Sequence, residues 1–202
     1  MEYTSTETDL LKNLDLLESN IEQLISKYKF SEISKTQKII KQDLFPNLNI
    51  EGIEFQVHPF KSNNALEELK SILTPKGYQV YFSSFKGNQA PNTIAILRTS
   101  DQYDIIRYYS SDGANYGLFP DDLIAKFQEW DKMYGLFVAG AGSDWCMIRL
   151  EQTPTELGGF VDELIAFCPD LQPEEDEEKA KRNKWRLESG IQYHRIVYFW
   201  WD

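Results

Sequence analysis

Ile196-Val197-Tyr198-Phe199-Trp200-Trp201 is an unbroken run of β-branched and aromatic residues, the composition of a strand. Successive side chains on a strand point to opposite faces. Ile196, Tyr198 and Trp200 therefore share one face, and Val197, Phe199 and Trp201 share the other. Both faces are apolar, which predicts an interior strand covered on both sides. The stretch from Tyr193 to Asp202 reads as the segment around which the rest is organised, and losing residues 196–202 is expected to unfold the protein.

Working back from that strand, Pro173-Glu174-Glu175-Asp176-Glu177-Glu178 precedes Lys179, Lys181, Arg182 and Lys184. Acidic residues first and basic residues later complement a helix dipole. Glu177–Lys181 and Glu178–Arg182 are favourable i,i+4 pairs, so the run predicts a solvated helix. Pro154 starts another helix, with Leu157, Phe160, Val161, Leu164, Ile165 and Cys168 inward and Pro169-Asp170 at its end. Residues 136–139 and 145–150 form a hairpin around Gly140-Ala141-Gly142-Ser143-Asp144. Pro120 followed by Asp121-Asp122 opens a helix that Gly135 stops. Ser100-Asp101 opens a shorter one through Tyr109, followed by the turn Asp112-Gly113-Ala114-Asn115-Tyr116-Gly117.

In the first half, Leu10, Leu14, Leu17, Ile21, Leu24, Ile25 and Tyr28 make one helical stripe over residues 10–28, with Thr8 or Asp9 as its cap. A second helix over residues 35–44 stops before Pro46. Ile53, Phe55 and Val57 alternate with polar residues as a half-buried strand. Asn63 or Asn64 caps a helix over residues 65–73, closed by Pro75-Lys76-Gly77. Residues 78–85 and 93–98 are strands joined by a polar loop. The fold expected is α+β: a mixed β-sheet of about six strands with helices packed on it. A helical N-terminal extension, residues 1–48, precedes an α+β domain at 49–202.

Composition narrows the function classes. An apolar share of 42% supports a substantial core. A net charge of -11 argues against nucleic acid and anionic membranes as partners, since both require basic patches, and fits a basic protein partner. Two cysteines, Cys146 and Cys168, at no metal or redox spacing suit a cytoplasmic protein with reduced thiols. The sequence around Met1 has no basic region and no long apolar run, so no secretory signal is expected. No stretch approaches the roughly 20 apolar residues that span a bilayer.

Four short motifs carry a resemblance. They are Asp112-Gly113-Ala114-Asn115-Tyr116-Gly117, Gly140-Ala141-Gly142-Ser143-Asp144-Trp145, Phe167-Cys168-Pro169-Asp170 and Trp200-Trp201-Asp202. In order and spacing they resemble the uncharacterised bacterial family DUF4253, over roughly residues 95–202. Asp112 stands where the family pattern has Asn. After Asp170 the charged run at 171–184 replaces the family's Ile-Val-Asp-Gln-Gly. The resemblance implies a fold and boundaries, and no reaction.

The candidate chemistry is sparse. The Gly140-Ala141-Gly142 turn leads into a strand, whereas phosphate-binding glycine loops lead into a helix; a tight hairpin is the better reading. Asp112, Asn115, Asp144 and Asp202 sit at turns or strand ends and would bind a metal through oxygen or act as an acid/base pair only if clustered. Tyr116, Trp145, Trp200 and Trp201 would line a pocket around them. A nucleophile needs a base, and the only histidines are His58 and His194, the latter placed at the start of the last strand. Cys168, at a helix C-terminus, reads as a buried structural thiol. No catalytic residue, cofactor or metal is assigned. The candidate pocket is Asn115, Tyr116, Asp144, Trp145, Trp201 and Asp202. The function expected is a non-catalytic protein-binding module, such as an immunity-type antidote to a basic toxin. The alternative is a small-molecule-binding domain or enzyme with a carboxylate/aromatic pocket.

Overall fold

A computed structural model describes residues 4–37, 44–172 and 176–201. The fold is α+β, with seven α-helices and seven strands among the described residues. The chain forms two compact units, residues 1–108 and 109–202.

In the first unit, Thr4 starts helix α1 (Ser5–Asn13) by a reciprocal capping box with Glu7. Helix α2 (Ser19–Tyr28) follows. The stripe expected to be one helix is thus two, capped at Thr4 rather than at Thr8 or Asp9. Asp15 takes a left-handed conformation, with φ 53°, and breaks it. Of the expected stripe, Leu14, Ile21, Leu24, Ile25 and Tyr28 are buried, whereas Leu10 and Leu17 are only half-buried, and Leu11 and Leu16 are buried in their place. Strand β1 (Ser31–Lys35) is the seventh strand, and it takes Lys35 from the helix expected over 35–44; residues 38–43 of that segment lie outside the described residues. β1 has one buried apolar residue, Ile33, so its identity comes from antiparallel pairing with β2 (Gly52–Val57).

Helix α3 (Pro59–Leu73) begins six residues before Ala65, with Pro59 at its first position and neither Asn63 nor Asn64 as cap. Strands β3 (Gln79–Ser84) and β4 (Asn92–Leu97) pair antiparallel, and β4 also pairs with β2. The order β1-β2-β4-β3 results. Buried Asn92 donates to Ser62 Oγ (2.9 Å) and accepts from the Lys86 amide (2.7 Å), tying the hairpin loop to α3. Phe30 stacks on Phe55 at 4.1 Å in the core. Helix α4 (Asp104–Tyr109) starts four residues after Ser100.

In the second unit, helix α5 (Pro120–Tyr134) ends where Gly135 turns at φ 61°. Strands β5 (Leu136–Ala141) and β6 (Trp145–Leu150) form the expected hairpin. Helices α6 (Leu157–Phe167) and α7 (Glu177–His194) lead into β7 (Ile196–Trp200). His194 therefore ends a helix rather than starting a strand. Asp176 caps α7 through the Lys179 amide, and Lys181 pairs with both Glu177 (2.8 Å) and Glu178 (3.6 Å).

The strand order β5-β6-β7 places β7 at an edge, paired among the described residues with β6 alone. The expected interior strand is thus corrected on two counts. β7 is an edge strand, and only its Val197, Phe199 and Trp201 face is buried, while Tyr198 and Trp200 are exposed. Helices α5 and α6 cover the buried face. Phe199 lies parallel to Trp130 (centroids 5.9 Å, 7°) and edge-on to Phe167 (5.9 Å, 89°). The indole N–H of Trp130 donates to Glu163 at 3.0 Å, satisfying the one polar atom this core residue brings. Among the described residues, no helix is long and apolar enough to cross a membrane.

Candidate functional site

The four sequence motifs meet at one end of the β5-β6-β7 sheet. The turn after α4 reaches the β5–β6 turn through two hydrogen bonds: Ser111 Oγ donates to the Gly142 carbonyl (2.6 Å), and the Asp112 amide donates to the Ser143 carbonyl (3.1 Å). The Trp201 amide donates to the Asp144 carbonyl (2.9 Å), extending the β6–β7 pairing by one residue. The Cys168 thiol, at the end of α6, donates to the Trp200 carbonyl (3.3 Å). Tyr116 donates to Asp170 at 2.6 Å, joining the first motif to the third.

Two glycines are required by close approach. A Cβ on Gly113 would lie 2.7 Å from Cδ1 of Trp201, and one on Gly142 would lie 2.1 Å from Nε1 of Trp145. Each indole covers a turn that any side chain would displace. The motifs thus have a packing reason for Gly113 and Gly142, for the Cys168 thiol and for Trp201.

The predicted site residues divide into groups. Trp201 is buried at 4% exposure, and its indole N–H has no acceptor among the described residues. Asn115 and Asp144 are exposed on their turns, and Tyr116, 42% exposed, is bonded to Asp170. Trp145 is half-buried and stacks on Tyr198 (5.4 Å, 13°). Asp202 lies outside the described residues. The backbone of Asp144 meets Trp201, while the Tyr116 side chain is held by α6's end. Among the described residues, no group of three His, Cys, Asp or Glu side chains could hold a metal ion.

Tyr198 was missed by sequence reasoning, which placed it in a covered face. The antiparallel register contains the missing signal. Trp145 lies opposite Trp200, and Tyr198 is diagonal to Trp145 on the same face. Together, Trp145, Tyr198 and Trp200 form an aromatic shelf. Burial raises the Tyr198 pKa above the ordinary tyrosine value, and the Asp144 carboxylate adds to that shift. Asp144 is exposed on the turn that leads directly into Trp145, next to the shelf in the chain.

Covalent chemistry has no support from the thiols. Burial pushes Cys146 up to about 12, and burial likewise raises Cys168 to about 11, so both remain protonated and poorly nucleophilic near neutrality.

No curated protein and no solved structure matches this chain significantly. The family profile described as "Domain of unknown function (DUF4253)" matches residues 93–202, which hold all four motifs. That match spans more than half of the sequence, and the chain belongs to the DUF4253 family.

Proposed function

We propose that this chain is a non-catalytic protein-binding module, and that its second unit engages a basic partner through Trp145, Tyr198, Trp200 and Asp144. The observation that carries this reading is the exposure of Tyr198 (39%) and Trp200 (47%) on the outer face of an edge strand. Large aromatic side chains dominate interface energetics, and their faces attract the Lys or Arg side chains of a basic surface. A net charge of -11 favours rapid, salt-sensitive association with such a partner. In its most concrete form, the module is a bacterial cytoplasmic antidote that neutralises a basic toxin. The test is affinity capture of the tagged protein from host lysate at low and high salt. One stoichiometric basic partner, lost at high salt and lost with Tyr198→Ala/Trp200→Ala, supports the reading. A blank across growth conditions, or capture indifferent to the double substitution, refutes it.

A second reading rests on the Trp201 indole N–H, buried where the motifs meet without an acceptor among the described residues. A small molecule that accepted this bond would make the unit a ligand-binding domain. A metabolite that raises the melting temperature of the native protein, but not of Trp201→Phe, would favour it.

A further inference from the structure

We propose that the first unit binds a phosphate monoester carried on a planar ring, in the groove between the end of α2 and the start of α3. This groove encloses about 410 Å³. Lys29, His58 and Lys61 all line it, and no carboxylate does. That concentration is notable in a chain with 32 acidic and 21 basic residues. Neither lysine makes an ion pair among the described residues. Two carboxylates adjoin the groove, and both are engaged: Glu32 accepts from Gln56, and Glu68 accepts from Tyr28 (2.7 Å) and Lys27 (2.6 Å). Helix α3 starts here with no acidic residue in its first turn, so its dipole adds to the positive potential.

The ring requirement comes from Phe60. It is 73% exposed, and its ring lies 5.6 Å from that of His58. Phe60 adjoins the groove through His58, which lines it together with Lys29 and Lys61. A flat ligand resting against His58 beside Phe60 would have its phosphate in reach of charge-assisted hydrogen bonds from the lysines.

The test is calorimetric titration of the full chain with phenyl phosphate, inorganic phosphate and phenol. Saturable binding of phenyl phosphate in roughly the millimolar range, tighter than either fragment, is expected for a ligand of this size. Lys29→Gln/Lys61→Gln should weaken it about tenfold or more. Lys12→Gln/Lys132→Gln, with the same change in net charge at exposed sites, should leave it unchanged. Phe60→Ala should abolish the preference for phenyl phosphate over inorganic phosphate. The proposal is overturned if nothing saturates below about 20 mM, if phenol binds as well as phenyl phosphate, or if Lys29→Gln/Lys61→Gln binds as the native chain does.

Discussion

The two units use aromatic residues differently. In the first, Phe30, Phe55, Tyr81 and Phe82 are each 2% exposed or less, and among the described residues Phe60 is the aromatic that is exposed. In the second, an equally well-packed aromatic core around Trp130 and Phe199 coexists with exposed Tyr116, Phe119, Trp185, Tyr193, Tyr198 and Trp200. Core formation cannot explain the second set, because burying more of them would have been favourable. The lesson is that β7 serves two ends: its inner face holds the unit together, and its outer face remains available.

Substitutions along that one strand should separate the two ends. The largest effect is expected inside. Phe199→Ala removes the ring that Trp130, Phe127 and Phe167 surround and should cost about 3–5 kcal/mol, measured by urea denaturation; deleting residues 196–202 should abolish the cooperative transition. A next, smaller effect tests the turns. Gly113→Ala drives a methyl into the buried indole of Trp201 and should cost about 1–3 kcal/mol. Gly142→Ala meets the half-exposed Trp145, which can swing outward, and should cost less despite the shorter contact; equal losses would contradict this account.

The thiols give a pH-dependent prediction. Their folded pKa values, about 12 and about 11, lie above the ordinary thiol value of 9.0. The unfolded state therefore releases these protons first as pH rises, so the stability they contribute is intact below the ordinary thiol pKa and is lost progressively above it. Melting temperatures of the native protein should fall from about pH 9 upwards, and Cys146→Ala/Cys168→Ala should flatten that fall. The smallest effect on stability is expected on the outer face, where Tyr198→Ala and Trp200→Ala should each change it by roughly 1 kcal/mol or less while removing partner capture. A loss as large as that of Phe199→Ala would mean that the outer face is structural.

Much of this arrangement was legible in the sequence. The β5–β6 hairpin, α5 and the β3–β4 pair announce themselves through Gly, Pro and regular apolar spacing. β1 does not, because Ser31-Glu32-Ile33-Ser34-Lys35 becomes a strand only by pairing with β2. The Asp15 break was hidden because the apolar spacing in the sequence runs through it from Leu14 to Leu17, although the residue buried after the break is Leu16. β7 misled because its composition is apolar on both faces, and composition does not distinguish a face covered by helices from one left exposed. The candidate site was legible as four motifs, yet their convergence depends on hydrogen bonds such as Ser111 to Gly142, which no local pattern encodes.

The β6–β7 pairing has a kinetic consequence. Val197 pairs with Ile148 across a long stretch of chain, so this ladder closes only after the entropy of a large loop has been surrendered. The β5–β6 hairpin, joined by a short turn, can form within microseconds. During refolding, β6 therefore waits with one side unpaired and Trp145 uncovered. Refolding yield should fall with protein concentration, because a neighbouring chain can dock on β6 before β7 does.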